Sequence, residues 1–326
     1  MDDTIRRLFE GDQRALSKLI SLIERQDPRG VEVMAEVYPH TGRAYCVGVT
    51  GPPGVGKSTI VDSLAEVLRG EGFSLGILAV DPTSPYSGGA FLGDRIRMRR
   101  HYLDSGVFIR SMATREGPGG LPRIVRGAVR LLDASGKDVV LLETVGVGQT
   151  ELGVMGTADT VVVALMPETG DSIQTLKAGL MEIADIFVVN KADQEGADQM
   201  MVAITSMLKM DTKPGPGNWS PPVLATQANN NVGVQELFGS IQRHREHLEQ
   251  TSQLESRRGE RRGDEFLETI EEELGRRMKR RIKEDAKLGT VLQAVKRGEM
   301  EPYSAAVQLL DGDLHPFEGL ASSPGE

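Results

Sequence analysis

The sequence predicts an α/β protein built on a doubly wound, mostly parallel sheet with helical extensions at both ends. Between Ala44 and about His247, short apolar runs alternate with helical patterns. These runs lack the polar alternation of a half-exposed strand, which is typical of strands that helices cover on both faces. Strands that alternate with helices favour a parallel sheet. We expect strands at 44–50, 75–80, 106–109, 138–143, 160–166, 186–190 and 222–226.

Helical patterns flank the predicted sheet domain, which spans residues 41–250. Residues 1–40 carry apolar side chains at helical spacing, interrupted at Pro28, and predict an N-terminal helical arm. Residues 251–326 are expected to form a helical extension, because apolar residues recur every four positions among charged ones. These are Phe266, Ile270, Leu274, Met278 and Ile282. Such a narrow stripe can pack on its own domain or pair with another subunit.

Composition limits the classes of function. The chain has 326 residues, a formal net charge of -9 and a pI near 5.3, which argues against a nucleic-acid partner held by phosphate contacts. No apolar run approaches the ~20 residues that span a bilayer, and the acidic start lacks the features of a secretory signal. One cysteine excludes an internal disulfide, and the scattered histidines give no support for a zinc or nickel site. We expect a cytoplasmic protein without a membrane partner.

A phosphate-binding loop follows the first predicted strand. The pattern G-x-x-x-x-G-K-[ST] is preceded by a strand and followed by a helix, which is the context that a P-loop requires. Its residues are Gly51, Pro52, Pro53, Gly54, Val55, Gly56, Lys57, Ser58 and Thr59. Backbone N–H groups of such a loop point at phosphate oxygens. Lys57 is expected to bridge the β- and γ-phosphates, and the Ser58 hydroxyl to bind Mg²⁺.

Three carboxylates are candidates for the magnesium shell. Asp81 and Glu143 lie at the ends of two predicted strands, where acidic residues of P-loop proteins hold the metal or its water ligands. Asp94 follows a stretch rich in Gly and Ser that is typical of a mobile switch loop. We therefore expect Ser58, Asp81, Asp94 and Glu143 around the metal ion.

A second motif predicts guanine specificity. Asn190, Lys191 and Asp193 form an N-K-x-D pattern at the end of a predicted strand, downstream of the P-loop. The Asp193 carboxylate can accept hydrogen bonds from guanine N1–H and the 2-amino group, whereas adenine offers neither donor. Lys191 can cover the base and Asn190 can brace neighbouring loops. Thr226 and Ala228, after the last predicted strand, are further candidate contacts.

With these motifs in place, the chain resembles the MeaB/ArgK family of P-loop GTPases. The segments Val80–Pro85, Gly93–Met98 and Glu143–Gln149 match in the family's order along with the two nucleotide motifs. The resemblance implies a homodimeric GTPase chaperone, with subunit contacts from the C-terminal extension. It would load adenosylcobalamin into a cobalamin-dependent acyl-CoA mutase, methylmalonyl-CoA or isobutyryl-CoA mutase, and protect or reactivate it. The mutase's adenosyltransferase is a further candidate partner.

The resemblance also implies an additional switch at 171–177. We expect slow GTP hydrolysis that a partner accelerates, because the motifs place no cation opposite the γ-phosphate. Lys177 is the candidate cation, beside Lys57, Asp94 and Glu143 as catalytic residues. Glu143 can act through the water shell of the metal or orient the attacking water. The alternatives are a metal-insertion GTPase and a transport-associated ATPase or kinase.

Overall fold

The computed structural model describes residues 2–81, 98–113, 120–144, 153, 155–167, 180–211 and 219–310. Within these residues, seven parallel strands form one sheet in the order β3-β2-β4-β1-β5-β6-β7. The strands are β1 (Tyr45–Thr50), β2 (Leu75–Asp81), β3 (Val107–Ala113), β4 (Val139–Thr144), β5 (Thr160–Leu165), β6 (Ile186–Val189) and β7 (Val223–Ala225). The predicted doubly wound parallel sheet is confirmed.

Helices cover the sheet and continue beyond it. The helices are α1 (Asp2–Phe9), α2 (Gln13–Glu24), α3 (Arg29–Val37), α4 (Lys57–Gly70), α5 (Gly120–Ala134), α6 (Ala197–Asp211), α7 (Val234–Gln250), α8 (Gln253–Glu284), α9 (Ala286–Lys296) and α10 (Pro302–Leu310). Shorter helical turns span Tyr38–His40, Arg99–His101, Met181–Ile183 and Ala228–Asn230.

Two hydrophobic clusters lie on opposite faces of the sheet. On one face, α1, α2 and α3 pack with α5 through buried side chains such as Leu16, Leu131 and Val140. On the other face, α4 and α7 contribute Leu64 and Leu237. Successive strand residues point to opposite faces, so both clusters need apolar residues in every strand. This explains why the strand runs are almost continuously apolar.

Strand β3 extends four residues beyond the predicted 106–109, to Ala113. The prediction stopped at residue 109 because the charged residue Arg110 interrupts the apolar run. In the structure, the Arg110 guanidinium pairs with the Glu24 carboxylate and lies 2.9 Å from the Ser21 hydroxyl, both on α2. The helix therefore supplies the partners that let a charged residue sit in a strand.

The chain divides into two compact units, Met1–Arg261 and Arg262–Glu326. The first contains the sheet and α1 to α7. The second contains most of α8 with α9 and α10, and buries Leu288, Ala305 and Leu309. In the described part of the chain, no helix combines the length and the apolar character that a membrane crossing needs.

Candidate functional site

The candidate site lies at the edge of the sheet where the parallel strands end. Strand β1 is central, with β4 on one side and β5 on the other. The chain runs from β1 toward β2 on the β4 side, and after β4 it crosses to β5 on the opposite side. Open α/β sheets bind ligands at such a change of direction, outside the carboxyl ends of the strands. The P-loop follows β1 at this position.

Glycines set the conformation of the P-loop. Gly51, Gly54 and Gly56 have φ values of +144°, +81° and +94°, which side chains disfavour. A Cβ atom on Gly51 would lie 2.0 Å from the Ala164 carbonyl oxygen, and one on Gly56 would lie 2.6 Å from Asn190 Nδ2. The loop therefore packs closely against β5 and the N-K-x-D segment, and leads directly into the N-terminus of α4.

Lys57 is the first residue of α4, and its side chain is buried. Its Nζ donates hydrogen bonds to the carbonyl oxygens of Gly51 at 2.7 Å and Pro52 at 2.9 Å. These contacts hold the ammonium group against the loop. The structure therefore brings the predicted cation to the segment that would surround phosphates.

Ser58 and Glu143 meet beneath the P-loop. The Ser58 hydroxyl donates a 2.6 Å hydrogen bond to Glu143 Oε1, and both residues are buried. Glu143 is held at this place because it lies in β4, in register with Val49 of β1. Hydroxyl and carboxylate oxygens are ligands that suit Mg²⁺. The two side chains therefore fit the predicted metal ion chemically.

Of the other two predicted carboxylates, the structure describes only the backbone of Asp81. Asp81 ends β2, which pairs with β4 through Val80 and Thr144, so its backbone lies at the same edge of the sheet. The side chain of Asp81 is outside the described atoms, and Asp94 and Lys177 lie outside the described residues. Among the described residues, no three His, Cys, Asp or Glu side chains form a metal-binding group. Mg²⁺ sites commonly need fewer, because phosphates and water complete them.

Asn190 joins the two nucleotide motifs. Its buried side-chain amide donates to the Val55 carbonyl oxygen at 2.8 Å. Its Oδ1 accepts hydrogen bonds from the Thr226 hydroxyl at 3.0 Å and from the Ala228 N–H at 3.1 Å. One side chain thus ties the P-loop to the segment after β7.

Lys191 and Asp193 lie beside this brace. Lys191 has a left-handed backbone with φ of +56°, and its Nζ is 3.4 Å from Met166 Sδ. Asp193 is exposed, so its carboxylate is accessible to a base. The Ala192 N–H donates to the Thr226 carbonyl oxygen at 3.0 Å, which fixes the motif against the segment after β7.

The polar groups of Thr226 and Ala228 already have protein partners. Beside the bonds to Asn190, the Ala228 carbonyl oxygen accepts a 2.9 Å hydrogen bond from the Ser63 hydroxyl of α4. Ser63 is fully buried and was missed by the sequence analysis. The sequence does contain an indication of its role. Ser63 lies on the helix face that carries Ile60 and Leu64, where a helix in the core usually has an apolar residue.

A family model described as "Methylmalonyl Co-A mutase-associated GTPase MeaB" matches residues 16–283. This chain belongs to the MeaB family. The resemblance found in the sequence motifs is therefore confirmed. The MeaB-family chain is a P-loop GTPase, and its fold implies binding of guanine nucleotides.

Relatives of this MeaB-family GTPase match over nearly its whole length. A putative GTPase of Pyrococcus abyssi is 46% identical over 311 residues, covering 95% of this chain and 96% of the relative. The mitochondrial methylmalonic aciduria type A homolog of Caenorhabditis briggsae is 34% identical and covers 79% and 68%. A crystal structure of a LAO/AO transport system kinase superposes with a TM-score of 0.71 at 28% identity, covering 95% and 96%.

Proposed function

We propose that this GTPase assists adenosylcobalamin loading into a cobalamin-dependent acyl-CoA mutase, and protects or reactivates that enzyme. The observation that carries the proposal is the match of residues 16–283 to a family described as associated with methylmalonyl-CoA mutase. The relative named for methylmalonic aciduria points the same way. Methylmalonyl-CoA or isobutyryl-CoA mutase is the expected partner, with its adenosyltransferase as a second candidate.

The site residues receive separate roles in GTP hydrolysis. Lys57, held at the P-loop, would turn from the loop carbonyls to the β- and γ-phosphates when these enter. Asp193 would accept hydrogen bonds from guanine, with Lys191 over the base. Asn190 positions both motifs through its bonds to Val55 and Thr226. Nucleotide selection would therefore depend on the exposed Asp193 carboxylate, three residues after this buried amide.

Ser58 and Glu143 are proposed to hold Mg²⁺, with Asp81 and Asp94 as further ligands or partners of its water shell. A bound Mg²⁺ would neutralise the negative charge of the phosphates. The close contact between Ser58 and Glu143 supports this assignment, because it groups two suitable oxygen ligands at the start of α4. Glu143 acts either through that shell or by orienting the attacking water.

Turnover is proposed to be slow until the partner binds, with Lys177 as the added cation. We also propose a homodimer, with residues 1–40 as an arm, 41–250 as the GTPase domain and 251–326 as the dimerisation extension. Exposed apolar side chains on α8 support the last assignment, since a second copy could cover them. They are Phe266, Leu267, Ile270 and Leu274.

The proposal is tested by phosphate release from GTP and ATP with Mg²⁺, with and without a cobalamin-dependent acyl-CoA mutase from the same source. Slow GTP turnover that the mutase accelerates, and that Lys57→Ala removes, supports the chaperone role. Turnover that no such mutase changes contradicts it while leaving the GTPase intact. Preference for ATP would contradict the role of Asp193.

The role of Lys177 has its own test in the same assay. Lys177→Ala should keep the basal rate and lose most of the acceleration by the mutase. Lys209→Ala is a suitable control, because Lys209 is an exposed lysine in the last turn of α6. Equal acceleration of the parent protein and Lys177→Ala would show that another group supplies the charge.

A further inference from the structure

A cluster of buried charges lies at the edge of the sheet opposite the P-loop. Asp159, directly before β5, is 5% exposed. Arg258 Nη2 lies 2.6 Å from Asp159 Oδ2, and Arg261 Nη2 lies 2.6 Å from Asp159 Oδ1. Both arginines are on α8, three residues apart, so they share one face of the helix. We call Asp159, Arg258 and Arg261 the arginine anchor.

The two guanidinium groups also bind backbone carbonyls. Arg261 Nη1 donates to the carbonyl oxygens of Thr157 at 3.1 Å and Ala158 at 2.6 Å. Arg258 donates to those of Gly42 at 2.8 Å and Ala44 at 2.9 Å. The arginine anchor therefore fixes the backbone where the chain enters β5 and where it enters β1.

Strand β1 connects this cluster to the nucleotide edge. The Cys46 N–H donates to Asp159 Oδ2 at 3.0 Å, and the Asp159 N–H donates to the Cys46 carbonyl oxygen at 2.7 Å. Met155 packs against the middle of the same strand, since a Cβ on Gly48 would lie 2.6 Å from its sulfur. Two residues beyond Gly48, β1 ends at Thr50 and the P-loop begins.

Residues Glu143 to Gly146 resemble the D-x-x-G switch motif of GTPases, with Glu in place of Asp. We call residues 143–155, which contain this switch motif, the switch segment. At its start, Glu143 accepts a hydrogen bond from Ser58 of the P-loop. At its end, residues 155–159 are held by Met155 in the core and by the arginine anchor. The described structure thus fixes the chain on both sides of this switch motif, with nucleotide-binding residues on one side and α8 on the other.

We infer that Arg258 and Arg261 are positioning residues for GTP hydrolysis. They act through Thr157, Ala158 and Asp159 to set where the switch segment ends, without touching the nucleotide. The inference rests on GTP hydrolysis at the site described above, and it requires no mutase. Positioning errors of about 1 Å can reduce a rate on the order of 10²-fold, so a distant anchor can matter to turnover.

The chemistry of the cluster holds its partners in fixed positions. Burying a carboxylate is costly unless its oxygens are paired and hydrogen-bonded, and here both oxygens have guanidinium partners. The planar guanidinium of Arg holds its donors in fixed directions and can bind both oxygens of a carboxylate, a rigid geometry that the Lys ammonium lacks.

The test compares Arg261→Ala with Arg257→Ala in the full-length protein. Arg257 is the matched control, because it lies on the same helix and pairs with Asp185 at 3.4 Å instead of Asp159. Backbone hydrogen exchange of peptides covering 145–158 and the kcat for GTP are measured. Arg261→Ala should exchange faster there and lose about tenfold in kcat, with GDP affinity within about twofold of the parent.

Two further measurements distinguish a positioning role of Arg261 from a general loss of folding. Added guanidinium ion should partly restore kcat in Arg261→Ala, which a general loss of folding would not permit. If Arg261→Ala does not fold, Arg261→Lys retains the charge, lacks the fork, and should show the same changes in smaller degree. Unchanged exchange and kcat in Arg261→Ala, or equal changes in Arg257→Ala, would overturn the inference. Because exchange is measured without a mutase, failure of the chaperone role would be seen separately.

Discussion

The two edges of the sheet hold their loops by different means. At the nucleotide edge, glycines let backbone segments approach closely, and the Asn190 amide ties them together. At the opposite edge, buried ion pairs hold the loops in place, above all those between Asp159 and the arginines of α8. Backbone and amide contacts leave room for a charged ligand, whereas the ion pairs of the arginine anchor are complete within the protein. One edge is built to bind, and the other to stay fixed.

A second buried polar group strengthens this difference. His244 of α7 is fully buried, with Nδ1 2.8 Å from the Thr160 hydroxyl, which also lies 2.6 Å from the Tyr45 hydroxyl. Burial, with help from the nearby Arg257 charge, lowers the pKa of His244 to about 3. The ring is therefore neutral at physiological pH and serves as a hydrogen-bonding partner inside the fixed edge.

The largest effect is expected for Gly51→Ala, which disrupts the nucleotide edge. The new Cβ would meet the Ala164 carbonyl oxygen at 2.0 Å, and backbone cannot yield as a flexible side chain can. We expect loss of measurable GDP binding by fluorescence titration. Gly72→Ala is the control, since Gly72 has φ of +90° but open space around it. Gly72→Ala should lower the free energy of unfolding by only ~1 kcal/mol. If Gly51→Ala bound GDP with the affinity of the parent, the proposed role of the close contact at Gly51 would be wrong.

Asp159→Asn disrupts the fixed edge. Removing one partner of a buried ion pair should lower the free energy of unfolding by ~3 kcal/mol at pH 7, with GDP affinity nearly unchanged. Although burial alone would raise it, Arg258 and Arg261 hold the pKa of Asp159 below its ordinary value of 3.8. The stabilisation is therefore present above pH 3.8 and is lost as the pH falls below it.

Urea denaturation at neutral pH and below pH 3.8 measures this effect, and the gap between parent and variant should shrink in acid. Glu299→Gln is the control, because its ion pair with Arg297 is exposed to solvent and screened, so its loss should hardly change the stability. A gap that is constant with pH would show that the Asp159 charge does not stabilise the fold.

Asn190→Ala should weaken the nucleotide edge, because it removes three hydrogen bonds there. We expect a loss of ~2 kcal/mol in stability together with weaker GDP binding. Calorimetric unfolding and nucleotide titration measure the two effects. Asn230→Ala, at an exposed residue of the helical turn after β7, should change neither. Normal GDP binding by Asn190→Ala would argue against its bracing role.

The smallest effect concerns His101, whose ring lies 3.3 Å from Asp62 on α4. Acceptance of a hydrogen bond by the Asp62 carboxylate raises the pKa of His101 above 6.5, against the effect of burial. Its contribution to stability is full below pH 6.5 and is lost as the pH rises through the raised pKa. Between pH 6 and pH 9, the free energy of unfolding of the parent should fall by ~1 kcal/mol more than that of His101→Gln. The exposed His40→Gln should follow the parent, and identical pH profiles for all three proteins would refute the role of the pair.

Most of the fold and of the nucleotide edge could be predicted from the sequence. Each apolar run corresponds to a strand, because a sheet covered on both faces needs continuous apolar residues. Motif residues such as Lys57, Ser58 and Asn190 are brought together because parallel strands end at one edge. These signals lie within short stretches of sequence, where pattern and chemistry can be seen together.

The fixed edge could not be predicted in this way. Asp159 and Arg258 are 99 residues apart in sequence, and nothing near either residue indicates its partner. Arg258 and Arg261 belong to a helix rich in charge, in which four of the eight arginines are exposed, so the sequence does not single these two out. Ser63 and His101 were missed for the same reason, because their partners are known only once the chain has folded.

The cysteine at the centre of the sheet has a practical consequence. Cys46 is buried in β1, and burial raises the pKa of its thiol far above the ordinary value, so it remains protonated and unreactive. It is also the one cysteine in the sequence. A cysteine substituted on the surface, for example at Val202 of α6, which is 66% exposed, should therefore accept a fluorescent or spin label without removal of the native residue. Distances between labelled helices could then be followed while nucleotide is exchanged.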